Sequence, residues 1–322
     1  MIFRLYKPEV FQGNLKNKNY FEGWYFKHVS SEMNNVLIFI PGISLNNNDP
    51  HAFIQIIDGI TGVSDYLSYP LRLFSWHRDD LFIRIGNSVF TDKYINLDIE
   101  RGKFRITGQI DYHGITEYPK TMFSPGIMGW YSFVPTMECK HGIISANHTL
   151  SGSITVNNDV IDFNNGKGYI EKDWGTSFPE SWLWIQANNF GERGSSLSFS
   201  VAKIPWRGRY FIGFISFLYY KKKFYIFCTY NNSTIKEIKS LDDSVLLVLT
   251  NGKNTLRISA TRSAAGILKA PSSGEMTRRI KESNDSNVSV ALYNSKDEII
   301  FTDTSPRAGI EVIEKIFDYF KN

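Results

Sequence analysis

Short runs of β-branched and aromatic residues, separated by turn residues, recur along most of the chain. Runs of this length and spacing are typical of antiparallel sheets. The 24 Phe, 17 Tyr and 7 Trp also favour strands with large apolar surfaces. The sequence therefore predicts a β-rich protein built from antiparallel sheets. The predicted strands are 36–40, 52–57, 81–85, 94–99, 104–110 and 152–156, followed by 182–187, 196–202, 211–219, 224–230, 245–250, 256–261, 288–293 and 298–302.

The C-terminus carries the one convincing helical pattern. Apolar residues between 310 and 320 recur at helical spacing. Ser305 suits the N-cap and Pro306 suits the first turn. We therefore predict a short C-terminal helix that begins next to Ser305.

Length and charge limit the class of protein. A chain of 322 residues is long enough for about two domains. The 36 basic and 32 acidic residues leave a net charge of +4, without a basic tract of the kind that binds nucleic acid. We therefore expect no nucleic-acid partner.

The cysteines and the N-terminus bear on the compartment. Cys139 and Cys228 lie far apart without metal-ligand spacing, which indicates neither a zinc site nor a disulfide framework. The N-terminal residues lack an apolar core of signal-peptide length, and no run approaches the roughly 18 apolar residues of a membrane span. We expect a cytoplasmic protein.

The stretch 166–189 combines charge with aromatic rings. Glu171, Lys172 and Asp173 stand among tryptophans, and an unpaired ionised carboxylate is costly in apolar surroundings. The stretch therefore contains either a buried ion-pair network or a proton donor. If residues 171–173 are extended, the two carboxylates share one face of a strand and Lys172 takes the other.

Two long motifs resemble the tocopherol cyclase family. The first is 20–27 (YFEGWYFK) and the second is 168–175 (GYIEKDWG), which continues with Phe178-Pro179 and 182–188 (WLWIQAN). The resemblance extends through His148 to a C-terminal segment at 270–283, so it covers nearly the whole chain. More distantly, the chain is similar to carotenoid 1,2-hydratases and lipocalin-like pericyclases.

The resemblance implies a fold and a reaction. The fold would be all-β, with two consecutive lipocalin-like antiparallel β-barrels: an N-terminal one over residues 1–165 and a C-terminal one, with the short terminal helix, over 166–322. The reaction would protonate an isoprenoid alkene, and a phenol oxygen or water would capture the cation. The substrate would be a hydrophobic small molecule such as a prenylquinol, a carotenoid or another isoprenoid, and no metal or redox cofactor would be required.

The same resemblance selects catalytic candidates. The hydratase-like relatives resemble Tyr-x-Asp-x-Asn-x-Gly at this point, which aligns onto Tyr169, Glu171, Asp173 and Gly175. Two carboxylates therefore stand where those relatives have one, and either is a candidate proton donor. His148 is a candidate to orient the acid or carry its proton. The alternative for each is structural: a paired carboxylate, a turn-anchoring tyrosine or a hydrogen-bonded core histidine.

Alternation along the two motifs selects a second group of residues. Two tryptophans and two amides on one strand face suit the wall of a cavity with polar contacts. Core packing, with Glu22 in a salt bridge, is the alternative. The predicted substrate-binding residues are Glu22, Trp24, Trp174, Trp182, Trp184, Gln186 and Asn188.

Two further hypotheses follow. Residues 217–227 (FLYYKKKFYIF) place lysines between aromatic residues, which suits either a hairpin tip in peripheral contact with a membrane or a hairpin whose lysines face water. A carrier that binds a lipid or isoprenoid without chemistry is the alternative to an enzyme.

Overall fold

The structure is a computed structural model that describes residues 2–263 and 265–321. Its first group of strands comprises β1 (Tyr20–Val29), β2 (Val36–Leu45), β3 (His51–Asp58), β4 (Ser64–Pro70), β5 (Phe74–Trp76), β6 (Phe82–Ile85), β7 (Ser88–Thr91), β8 (Tyr94–Arg101), β9 (Phe104–His113), β10 (Cys139–Val156), β11 (Asp159–Asp162) and β12 (Lys167–Gly175). Its second group comprises β13 (Trp182–Ala187), β14 (Ser196–Trp206), β15 (Arg209–Tyr220), β16 (Lys223–Cys228), β17 (Thr234–Ser240), β18 (Ser244–Thr250), β19 (Asn254–Thr261), β20 (Ala265–Ser272), β21 (Glu275–Asn294) and β22 (Ile299–Val312). The helices are one α-helix, α1 (Ile2–Leu5), and the 3₁₀ helices η1 (Leu71–Leu73), η2 (Gly129–Phe133), η3 (Thr229–Asn231) and η4 (Glu314–Phe320).

The strands form two large sheets. The first has the order β4-β3-β2-β1-β12-β10-β9-β8-β7-β6-β5, with β11 paired to β10. The second has the order β16-β15-β14-β13-β22-β21-β19-β18-β17, with β20 paired to β21. Neighbouring strands of the first sheet run antiparallel, as β1 and β12 do. The predicted all-β architecture with two antiparallel sheets is confirmed, while closure of each sheet into a barrel stays a prediction.

Strand β12 lies between β1 and β10, although it is the last of the twelve strands in the sequence. Lys172 is paired with Trp24 on β1 and with Gly142 on β10. Side chains on this face of the strands, including Trp24, Phe26 and Ile170, belong to the hydrophobic core. The charged motif therefore sits in the middle of the sheet, with core on one of its faces.

The second sheet has its core on the opposite side from the tryptophans of β13. Leu183, Ile185 and Ala187 belong to this core. Because side chains alternate along a strand, Trp182 and Trp184 point to the other face of β13.

The chain divides into two compact units. The first reaches Phe178 and includes Gly266–Ile280, and the second takes the remaining described residues from Pro179 onward. This differs from the predicted division at 165/166, because β12 hydrogen-bonds to β1 and β10 and so belongs to the first sheet. Segment 266–280 is bound to the first unit by Gln55, whose side-chain amide donates to the Lys269 carbonyl and accepts from the Lys269 amide.

The predicted C-terminal helix is wrong over its first half. Ser305 and Pro306 lie within β22, and helical structure begins only at Glu314. The Ser305 side chain accepts a hydrogen bond from the Asn189 amide at 2.9 Å instead of capping a helix. Pairing with β21 and β13 therefore overrides the local helical signal at these residues.

Helices of the described ranges are all short. None of them combines the length and the hydropathy that a transmembrane helix requires. Cys139 and Cys228 are free thiols.

Candidate active site

The acidic motif lies on β12, where alternation places Tyr169, Glu171 and Asp173 on one face. Lys172 points to the opposite face, as the sequence predicts. Glu171 is opposite Tyr25 of β1 and Ile143 of β10, and Asp173 is opposite His141 of β10. The sheet therefore adds a histidine to the two carboxylates.

His141 bridges the two carboxylates. Its Nδ1 lies 2.9 Å from Oδ1 of Asp173 in a hydrogen bond, and its Nε2 lies 3.6 Å from Oε2 of Glu171. The hydroxyl of Tyr169 donates to the same Glu171 oxygen at 2.5 Å. Hydrogen bonds thus join Tyr169 to Glu171 and His141 to Asp173, and an ionic contact without a hydrogen bond joins His141 to Glu171. We call these four residues the proton chain.

Burial increases along the proton chain. The side chain of Asp173 is 27% exposed, that of His141 is 12% exposed and that of Glu171 is 5% exposed. Tyr169 is fully buried. The chain therefore leads from a partly solvated carboxylate to a carboxylate that water reaches poorly.

The two carboxylates control the charge of His141. Burial alone would lower the pKa of the imidazole, but the negative charges of Asp173 and Glu171 and the hydrogen bond to Asp173 raise it to about 9. His141 is therefore an imidazolium at neutral pH. The N–H on Nε2 faces Glu171 at 3.6 Å, so the ring places a positive charge beside that carboxylate.

The same three side chains are the set within the described residues whose geometry could hold a metal ion. The ligand atoms of His141, Glu171 and Asp173 lie within 4.8 Å of one another. An imidazolium has no lone pair for a metal, so a metal ion would bind here only if His141 lost a proton.

Glu22, Trp24 and Trp174 surround Lys172 on the other face of the sheet. A carboxylate oxygen of Glu22 lies 2.5 Å from the Lys172 ammonium, and both side chains are fully buried. The ammonium lies 5.0 Å from the Trp24 ring centre and 4.5 Å from that of Trp174. These predicted substrate-binding residues thus take part in a buried ion pair, the alternative that the sequence left open for Glu22.

His148 is not brought to the proton chain. Its Nδ1 lies 2.8 Å from the Ser145 hydroxyl, and its ring packs on Tyr112 at 4.5 Å. Burial lowers the pKa of His148 well below its usual value, with further lowering from His28 and His113. The predicted catalytic histidine is thus a neutral core residue, and the histidine beside the carboxylates is His141, which sequence reasoning missed.

Trp182, Trp184, Gln186 and Asn188 belong to the second unit. The Trp182 indole donates to Oε2 of Glu311 at 2.7 Å, and the Gln186 amide donates to Asn188 at 3.2 Å. All four predicted residues are buried. Their substrate-binding role stays a prediction.

Comparison with known proteins identifies the family. The sequence profile described as Tocopherol cyclase-like matches residues 103–313, more than half of the chain. The chain belongs to the tocopherol cyclase-like family. The matched residues include the whole proton chain, whereas Glu22 and Trp24 precede them.

Curated relatives agree with this assignment. The chain is 27% identical over 195 residues to "Tocopherol cyclase, chloroplastic" of Zea mays, covering 57% of this chain and 41% of that protein. It is 26% identical over 168 residues to "Probable tocopherol cyclase, chloroplastic" of Oryza sativa subsp. japonica, covering 51% and 34%. The matches thus span less than half the length of these two relatives.

A solved structure shares the fold. The crystal structure of CghA superposes with a TM-score of 0.58 at 10% sequence identity, covering 91% of this chain and 88% of that one. At this identity the similarity speaks for the fold alone.

Proposed function

We propose that the protein is a tocopherol cyclase-like enzyme that protonates an isoprenoid alkene without a cofactor and then closes a ring or adds water. Membership of the family supports the reaction class. The observation that carries the proposal is the proton chain, in which an imidazolium faces a buried carboxylate. Protonation of an alkene needs a strong, well-placed acid in surroundings that exclude water.

Glu171 is the proposed proton donor. It is more buried than Asp173, and Asp173 is already engaged by Nδ1 of His141. A proton that passes from His141 Nε2 to Glu171 leaves a neutral imidazole and a neutral carboxylic acid, and burial favours such neutral forms over charged ones. Before the transfer Asp173 stabilises the charge of His141, and Tyr169 holds the Glu171 carboxylate in place.

In the proposed step the O–H bond of Glu171 breaks while a C–H bond forms at the less substituted alkene carbon, which leaves a tertiary carbocation. The phenol oxygen of the substrate, or water, captures this cation and releases its proton. That proton returns to Glu171 directly or through His141, so no net proton is consumed.

Aromatic faces on the Glu171 side of the sheet would stabilise the cation. Tyr25 is opposite Glu171 on β1, and Tyr169 precedes it on the same face. Both side chains are buried, and a desolvated aromatic face attracts cations most strongly.

The test is turnover in deuterated water. Purified protein is incubated with a hydroquinone that carries a prenyl chain, and products are followed by mass spectrometry. We expect one deuterium on carbon in each product molecule. Glu171→Gln should reduce incorporation at least a hundredfold, while Glu138→Gln, a change at an exposed acidic residue that precedes β10, should leave it unchanged.

The same measurement separates the enzyme from the carrier. Substrate that is retained without a change in mass would favour the carrier and contradict the proposal. Undiminished turnover in both Glu171→Gln and Asp173→Asn would exclude these carboxylates as donors.

A further inference from the structure

Gly23 lies in the interior of β1, directly opposite Asp173 of β12. Two residues further along β1, Tyr25 is opposite Glu171, so Gly23 and Tyr25 share the face that carries the proton chain. A glycine inside a strand lowers stability, because it packs no side chain and leaves the unfolded chain most free. Its presence at the centre of this sheet therefore needs a physical reason.

Backbone conformation does not require a glycine at this position. The φ angle of Gly23 lies outside the left-handed region, in which glycine is favoured. The register between β1 and β12 is regular on both sides of Gly23, so no β-bulge explains the glycine. Other residues could adopt the same conformation without strain.

Packing around Gly23 leaves room for a side chain. A Cβ on Gly23 would lie 3.6 Å from Cγ2 of Ile40 and 3.8 Å from Cζ of Phe53, which are ordinary contact distances. Gly42, directly opposite on β2, is different. A Cβ on Gly42 would overlap Cζ of Phe53 and would lie 2.7 Å from the Glu22 carbonyl oxygen. The fold therefore requires a glycine at position 42 but not at position 23.

Gly23 is also partly exposed, whereas all other residues from Phe21 to Val29 are buried. Because Cα atoms of a pleated strand are displaced toward the side of their own Cβ, this exposed surface lies on the face of the proton chain. Asp173, His141 and Ile40 are partly exposed as well. These four residues are neighbours across β10, β12, β1 and β2, and we call the space above them the Gly23 opening.

The Gly23 opening has a polar side and an apolar side. Asp173 and His141 form an ion pair at 2.9 Å on one side, and Ile40 and Phe53 lie on the other. Between them the bare backbone of Gly23 leaves the floor flat. Small-molecule sites typically combine apolar walls with a few polar groups that fix orientation. A flat floor between such walls suits the face of a planar group better than a bulky saturated one.

We propose that Gly23 is the floor of a substrate subsite, on which the face of a planar unsaturated group lies beside the proton chain. Glycines inside strands often mark places where a ligand approaches the backbone closely. The group is the aromatic ring or an alkene of the substrate, which share this planar, apolar chemistry. The identity of the occupant as a substrate rests on the proposed function, whereas a carrier would use the same subsite for its ligand.

Gly23→Ala tests whether the glycine serves the ligand or the fold. We expect an unchanged or slightly higher melting temperature, since alanine restricts the unfolded chain more than glycine does. Gly42→Ala should lower the melting temperature instead, because its Cβ overlaps Phe53. A clear fall in the melting temperature of Gly23→Ala would overturn the inference, since the fold itself would then need the glycine.

Equilibrium dialysis measures binding with two probes that separate the ring from the alkene. One probe is a hydroquinone with a fully saturated isoprenoid chain, and the other is a prenyl alcohol without a ring. We expect Gly23→Ala to weaken binding of at least one probe about tenfold or more, because an added methyl group occupies the space of the ligand. Weaker binding of the hydroquinone would place the ring on Gly23, and weaker binding of the prenyl alcohol would place an alkene there.

Gly191→Ala is the matched control. Gly191 lies in the loop after β13, and a Cβ there would also have its nearest heavy atom at 3.6 Å, on Asp303. This variant should bind both probes as wild type does. Equal weakening in both glycine variants would contradict the subsite, and so would unchanged binding of both probes in Gly23→Ala or a wild-type protein that binds neither.

The result is independent of the proposed chemistry, since no turnover enters the dialysis. Weaker binding in Gly23→Ala without deuterium incorporation by wild type would support the subsite and assign it to a carrier. Deuterium incorporation together with unchanged binding in Gly23→Ala would support the enzyme and overturn the subsite.

Discussion

The ammonium of Lys172 lies 2.5 Å from a carboxylate oxygen of Glu22, and neither side chain is exposed to solvent. Each charge has further partners. Lys172 donates to the carbonyls of Pro8 and Val10 at 2.6 Å, and Glu22 accepts from the backbone of Gln12 at 2.8 Å. Burial lowers the pKa of Lys172, and Glu22 counteracts part of that effect. The pair therefore fixes residues 8–12 against the middle of the first sheet.

Removing one member of this pair should be costly. Lys172→Met leaves the Glu22 carboxylate buried without its cation, and we expect a loss of about 3–5 kcal/mol in the free energy of unfolding. The double variant Lys172→Met/Glu22→Gln should lose much less free energy of unfolding than the sum of the losses in the two single variants. Urea unfolding of the four proteins measures the coupling, and strictly additive losses would contradict it.

Stability should fall at alkaline pH because of His141. Its pKa is raised to about 9 in the fold, against about 6.5 in the unfolded chain. The folded state therefore holds the proton more tightly, so this contribution is complete below pH 6.5 and is lost as pH rises through about 9. It amounts to about 3 kcal/mol. Unfolding followed between pH 6 and 10 should show the decline in wild type and a flatter profile in His141→Gln.

Asp173 should set the pH at which activity declines. If turnover requires the imidazolium of His141, activity falls as pH rises through the pKa of this ring. Asp173→Asn removes a negative charge that raises that pKa, so the alkaline limb should move at least about one unit lower. The exposed Glu138→Gln variant serves as control, and identical limbs in all three proteins would argue against a role for His141.

Gly168 should be intolerant of a side chain. A Cβ at this position would overlap Nε2 of His148, which is opposite Gly168 on β10. Gly168→Ala should therefore destabilise the first unit by about 1–3 kcal/mol. Thermal unfolding should show that His148→Ala recovers part of this loss in the double variant, and failure to recover it would place the strain elsewhere.

The local patterns predicted the strands and the faces of β12 well, because alternation depends only on the chain being extended. The position of Lys172 opposite Glu171 and Asp173 is confirmed for this reason. His141 could not be found in this way, since its place beside Asp173 depends on the register of β10. That strand has irregularities between Ile143 and Ser145 and between Ser145 and His148. A regular antiparallel register counted along β10 from His148 therefore assigns the wrong partner to Asp173.

The C-terminus shows the opposite kind of error. The apolar spacing after residue 310 and the Ser305-Pro306 pair indicate a helix locally, yet residues 299–312 pair as β22. Ile310 lies in the core beside Ile185 of β13. Residues 299–312 form a strand because they pair with β21 and also with β13, which is distant in the sequence. Local sequence patterns contain no information about such pairing.

Because side chains alternate along β12, its acidic residues and its lysine lie on opposite faces of the sheet. One face holds the ion pair of Lys172 with Glu22, and the other holds the ion pair of His141 with Asp173. A slip of β12 by a single residue would move Lys172 to the face of His141 and turn Glu171 and Asp173 into the core. An insertion or deletion within residues 169–173 would therefore abolish folding and chemistry together, whereas the same change in an exposed hairpin turn would be tolerated.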